Sequence, residues 1–178
     1  MTVKQVKLAI AITGGGSAAI PGLIRRGGAS AWLEDYRVPY GKKALEQLLC
    51  DRVQATVCKE TARRMAYAMY STAFPYNAPW PPEKHFDTIN PSSGRPFSRT
   101  FGLGVTANLT YEGERLGRKH LIYAAAYCPV PLFNDNYYLE TFFIPSGQTR
   151  QDQETEADNF VKQFLAQIIH TQRIKNDT

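Results

Sequence analysis

The chain is poor in the residues that staple or metallate small proteins. Its 178 residues hold three cysteines, Cys50, Cys58 and Cys128. An odd number without Cys-x-x-Cys spacing argues against a disulfide framework and a zinc site, and fits reduced, structural thiols in a cytoplasmic protein. The three histidines, His85, His120 and His170, are far apart with no ligand spacing, so no metal is expected. Charge of one sign never accumulates. The net charge is +5 and the pI near 9.1, but there is no run of five or six like charges, so nucleic acid is not demanded as a partner. A small phosphorylated ligand suits this charge equally well. The apolar stretch 8–12 is too short for a signal-peptide core or a membrane span and opens into glycines, so no membrane association is expected. With 43% hydrophobic residues, one core and a single domain over 1–178 are expected.

What the chain does have is a strand, glycine loop, helix unit over residues 6–32. An apolar run of strand length breaks at Thr13-Gly14-Gly15-Gly16-Ser17 before an apolar-rich stretch fit for a short helix. Glycines let backbone N–H groups approach a ligand, and the helix behind turns its positive end to the same place. An anion is the natural occupant; a tight turn that binds nothing is the alternative. Residues 32–40 read as a second extended segment, placing Tyr40 at its C-terminal end, where open α/β sheets bind ligands.

Helices are expected at 41–50, with Ala44, Leu45, Leu48 and Leu49 as the apolar stripe, and at 57–74, with Val57, Ala62, Met65, Ala66 and Met69 near helical period and the methionines as core filler. Six prolines with Tyr76, Trp80, His85, Phe86 and Phe97 make 75–97 an inserted arm, packed over the domain, over a second subunit or over its own sheet edge. Residues 101–106 read as the end of a strand. Segments 118–127 and 137–144 read as an antiparallel hairpin. A final helix follows Ser146-Gly147, with Glu154, Glu156 and Asp158 early and His170, Arg173 and Lys175 late, in accord with the helix dipole. Phe160, Phe164, Leu165, Ile168 and Ile169 form its buried stripe.

Three glycine-loop chemistries compete. A P-loop in its usual form is excluded because no Gly-Lys-Ser/Thr follows the glycines. A dinucleotide fingerprint fits Gly14-x-Gly16-x-x-Ala19, with Glu34 and Asp35 placed for a ribose, but Pro21-Gly22 and the following helices depart from it. The third reading rests on longer motifs. Ala11-Ile12-Thr13-Gly14-Gly15-Gly16-Ser17, Gly28-Ala29-Ser30-Ala31-Trp32-Leu33-Glu34 and Val38-Pro39-Tyr40 occur in this order, with Gly104-Val105-Thr106-Ala107-Asn108, Arg115-Leu116-Gly117 and Ser146-Gly147 with Arg150 further on. Together they resemble the CinA C-terminal domain family, the nicotinamide-nucleotide amidases.

The resemblance covers most of the chain except the arm. It implies an α/β fold, a three-layer α/β/α sandwich with a mostly parallel mixed sheet of about five strands, and a homo-oligomer. It also implies hydrolysis of the carboxamide of nicotinamide mononucleotide to the acid and ammonia, with no cofactor. The family's nucleophilic serine falls on Thr13, its tyrosine on Tyr40 and its lysine on Leu45, which cannot be a base. Lys42, one turn earlier, is the replacement candidate, or else a solvated surface charge. The catalytic candidates are thus Thr13, Tyr40 and Lys42, with Ser17 as a second hydroxyl. Gly14, Gly15, Gly16, Ser17, Gly102, Gly104, Thr106, Asn108 and Arg150 are the binding candidates for a small anionic, nucleotide-like ligand. The alternative is a noncatalytic nucleotide-binding or scaffolding homologue that has lost the base.

Overall fold

The computed structural model describes residues 6–73, 99–111, 119–129 and 136–174. The arm expected at 75–97 lies outside the described residues, as do Arg115-Leu116-Gly117 and Arg118. The elements are β1 (Val6–Thr13), α1 (Ala19–Ile24), a 3-10 turn (Ala29–Ala31), β2 (Leu33–Arg37), α2 (Lys42–Leu49), α3 (Lys59–Ala73), β3 (Arg99–Asn108), β4 (His120–Tyr127), β5 (Tyr137–Ile144) and α4 (Arg150–Ile174). The strands form one five-stranded sheet in the order β2-β1-β3-β4-β5. β1 pairs parallel with β2 and β3, while β4 is antiparallel to both β3 and β5. All strands except β4 therefore run one way, and the expected α/β sandwich is the observed fold. No helix among the described residues is long and apolar enough to cross a membrane.

Strand alternation decides which layer each residue joins. On β1, Leu8, Ile10 and Ile12 meet Phe101, Leu103 and Val105 of β3 under α1 and α4, where Ala157, Phe160, Val161, Phe164 and Ile168 complete the larger core. The opposite face carries Ala9 and Ala11 against Leu45 of α2 and Met65 and Met69 of α3. The methionines are core filler, as expected. The α3 face is lined by small residues because the helix lies almost on the strands. A Cβ on Gly102 would stand 1.9 Å from the Ala66 carbonyl oxygen, and one on Gly104 would stand 2.3 Å from that of Ala62. The ligand role expected for these two glycines therefore gives way to a packing role: they face α3, and their missing side chains set the layer spacing.

One helix start differs from its expected place and leaves Val57 outside the helix. α3 begins two residues later than its periodicity indicates because Cys58 acts as its cap. The Cys58 sulfur accepts the Thr61 N–H at 3.4 Å, a thiol in a place usually held by Ser or Thr, while Thr61 Oγ1 donates to the Ala55 carbonyl at 2.6 Å. At the far end of α3, Tyr67 and Tyr70 pack edge-on against Tyr127 of β4, with ring centroids 5.2 and 5.1 Å apart.

Candidate functional site

The parallel pairing of β1 with β3 puts Thr13 beside Thr106, so the glycine loop and residues 109–111 leave the same end of the sheet together. Other stretches of chain press against each of the loop's three glycines. Gly14, at φ +85°, would place a Cβ 1.9 Å from the Ala107 carbonyl oxygen; one on Gly15 would meet Leu109 Cδ1 at 2.4 Å; Gly16, at φ +81°, abuts Val161 and the Ala157 carbonyl. Each glycine is required by the approach of another chain segment.

α4 closes the loop from above. Arg150, Glu154 and Asp158, spaced four apart, lie on one helix face directed at it. Glu154 Oε2 accepts the Gly16 N–H at 3.1 Å, so a carboxylate of the protein itself holds this loop N–H. Arg150 pairs with the same carboxylate at 2.6 Å and donates to the Thr110 carbonyl at 2.9 Å and the Gly14 carbonyl at 3.4 Å. Fully buried Gln153 accepts the Thr110 N–H at 2.6 Å, fixing the neighbouring loop. Burial raises the Asp158 carboxyl above its usual range, against the opposing pull of Lys162 and the Ala19 N–H.

Tyr36 of β2 donates to the Ser17 carbonyl at 2.5 Å. Burial, with the Asp158 charge adding to it, pushes its phenol up to about 12. A raised acid favours the neutral form in the fold, so the stability this group contributes is full below pH 10 and lost as pH rises from 10 through 12. Tyr36→Phe is expected to lower stability near neutrality by about 1 kcal/mol through loss of the hydrogen bond. The same change should flatten the alkaline fall. Denaturant midpoints measured from pH 8 to 12 check both, and an unchanged alkaline slope would refute the link.

Thr13, Tyr40 and Lys42, the expected catalytic groups, differ in their surroundings. Thr13 is 5% exposed, and its Oγ1 donates to the Pro39 carbonyl at 3.0 Å. Tyr40, the next residue, is 72% exposed. Lys42 is exposed and faces Glu46, Nζ to Oε1 3.9 Å, on its own helix. Leu45 is buried among Ala9, Ala11, Val53, Met65 and Met69. Thr106 Oγ1 donates to the Thr56 carbonyl at 2.6 Å, and Asn108 Nδ2 to the Lys119 carbonyl at 3.1 Å, so both tie the sheet to its connections. The structure thus brings together Thr13, Gly14, Gly15, Gly16, Ser17 and Arg150, sets Thr106 beside Thr13, turns Gly102 and Gly104 toward α3, and gives Lys42 and Asn108 partners outside the loop. A cavity of about 300 Å³ opens between Val38-Pro39 and Ala44, Gln47 and Leu48, behind the Pro39 carbonyl that holds Thr13. Among the described residues no group of three or more His, Cys, Asp or Glu is placed to hold a metal ion.

No protein-family model and no curated protein sequence matches the chain. Solved structures do. A competence-damaged protein (CinA) superfamily protein from Escherichia coli superposes with a TM-score of 0.62 at 14% identity, over 92% of this chain and 81% of that one. The competence/damage inducible protein CihA from Agrobacterium tumefaciens gives 0.60 at 16% identity over 94% and 86%, and a CinA superfamily protein from Enterobacter cloacae 0.60 at 14% over 94% and 83%. The chain has the fold of the CinA superfamily. On this CinA fold, Glu154, Gln153, Asp158 and Tyr36 are the site residues that sequence reasoning missed. The acids were legible only as helix-dipole partners; the spacing of Arg150, Glu154 and Asp158 at successive fourth positions is the trace that marks their shared face.

Proposed function

We propose that this chain is a non-hydrolytic member of the CinA type, a binding or scaffolding protein that keeps the fold and the glycine loop without the amidase chemistry. The observation that carries this reading is the Thr13 hydroxyl, buried and donating to the Pro39 carbonyl. A nucleophilic hydroxyl must give its proton to a base as it attacks. A peptide carbonyl is no such base, and β-branching restricts the rotamers by which Thr13 can turn to another. Leu45 in the family's lysine place supports the same conclusion. The ligand class is a small anionic, nucleotide-like molecule, met at the loop by Arg150 once Glu154 yields. Homo-oligomeric assembly and a cytoplasmic location, in accord with the reduced thiols of Cys50 and Cys58, belong to the same proposal.

A second reading, an amidase acting on nicotinamide mononucleotide with Lys42 as base, is favoured by the exposure of Tyr40 beside Thr13 and by the place of Lys42 on the first turn of α2. Ammonia release from nicotinamide mononucleotide separates the two. The expected result is no release above a Thr13→Ala control. Release that disappears in Thr13→Ala and falls at least tenfold in Lys42→Ala would overturn the non-hydrolytic reading and establish the second.

A further inference from the structure

A cavity of about 290 Å³ lies on the outer flank of α3, between the end of α2 and the start of β5, and shares no residue with the glycine-loop site. Two arginines line it. Arg64 is committed, with Nη2 on Asp51 Oδ2 at 2.9 Å and Nη1 on the Arg52 carbonyl at 3.3 Å. Arg63 is not. Its guanidinium carbon stands 4.4 Å from the centroid of the Tyr137 ring, and it makes no ion pair among the described residues. Glu60, one turn earlier on α3 and lining the same cavity, makes none among the described residues either.

Opposite charges three apart on a helix ordinarily meet. Here the Tyr137 ring holds the guanidinium by its face, which leaves the in-plane N–H donors open for a planar two-oxygen acceptor. The cavity therefore presents a cation and an exposed anion, each without an ion pair among the described residues, with Tyr67 and Leu49 as apolar wall. A phosphate dianion would meet the Glu60 carboxylate, and a simple amine would meet Arg63. Only a ligand carrying both charges satisfies both. The volume falls just below the roughly 300–1,000 Å³ of drug-sized ligand sites, which suits a molecule the size of one amino acid.

We propose that this cavity binds a free α-amino acid with an apolar or aromatic side chain, its carboxylate on Arg63, its ammonium on Glu60 and its side chain against Tyr67 and Leu49. The site stands independently of the glycine loop. Isothermal titration of the full chain with L-phenylalanine, 3-phenylpropionate and 2-phenylethylamine tests it. L-phenylalanine is expected to bind at least tenfold more tightly than either single-charge analogue. Arg63→Met, which keeps the apolar stem, and Glu60→Gln are each expected to weaken it at least tenfold while melting close to the parent protein. Because the two substitutions act on opposite poles, either one alone suffices should the other fold poorly. Equal affinity for 3-phenylpropionate, binding unchanged in the variants, or no saturable binding of L-phenylalanine or L-leucine would overturn the proposal.

Discussion

Gly102→Ala is expected to lower stability by at least about 3 kcal/mol, or roughly 6–12 °C in melting temperature for a chain of this size. The reason is that the new methyl group has nowhere to go. It would lie 1.9 Å from the Ala66 carbonyl oxygen and 2.3 Å from the Tyr70 nitrogen, both backbone atoms of α3. A flexible side chain could swing aside, but helix backbone moves only as a body, and α3 also packs on Gly104 and β4. Gly22→Ala provides the contrast. It sits inside α1 with nothing within 4 Å of its would-be Cβ, so alanine there should stabilise by about 0.5–1 kcal/mol through helix propensity. Thermal melts of the two variants, followed by circular dichroism, check both signs. A Gly102→Ala protein melting within about 2 °C of the parent would show that the layer spacing is softer than the packing indicates.

Glu154→Ala is expected to raise the affinity of the loop for inorganic phosphate and nicotinamide mononucleotide at least tenfold. Removing the carboxylate frees the Gly16 N–H and leaves Arg150 without its acid, so an incoming anion gains both partners and loses a like charge that opposed it. The cost in stability is smaller, about 1 kcal/mol. Arg150 and Glu154 are 40% and 37% exposed, so solvent screens their pairing and the loss falls chiefly on the Gly16 hydrogen bond. Glu154→Gln separates charge from geometry: the amide oxygen can still accept the Gly16 N–H, so stability should be retained with an intermediate gain in anion affinity. Ligand-induced thermal shifts on all three proteins read the result. Equal shifts across the series would mean that the loop is not the anion site.

Elements whose own pattern names them were legible in the sequence. β5 occupies 137–144 as expected, and α3 buries Ala62, Met65, Ala66 and Met69 because helical periodicity reports a face without knowing what covers it. The glycines were harder to read. A glycine marks that something approaches the backbone, and the sequence does not say whether a ligand or another stretch of chain does so. At 14–16 the visitors are Ala107, Leu109, Ala157 and Val161; at 102 and 104 they are the turns of α3. Glu154 was hidden for a related reason. Near a helix start an acid is accounted for by the dipole, and nothing local reveals that its oxygen reaches a residue 138 positions away. The α2 helix shows the limit of side-chain arithmetic. Its phase places Lys42 one turn from Leu45, yet the amine faces Glu46 on the following turn of its own helix.

The tie between Gly16 and Glu154 also orders the chain in time. The loop is among the first described segments to be synthesised, and the helix that completes it is the last. Contacts of such long sequence separation close late, after the ordering cost of everything between has been met. Among the described elements the end of the sheet that carries the glycines is therefore completed last, and without α4 the strand residues Leu8, Ile10 and Ile12 would lose the helix packed over them.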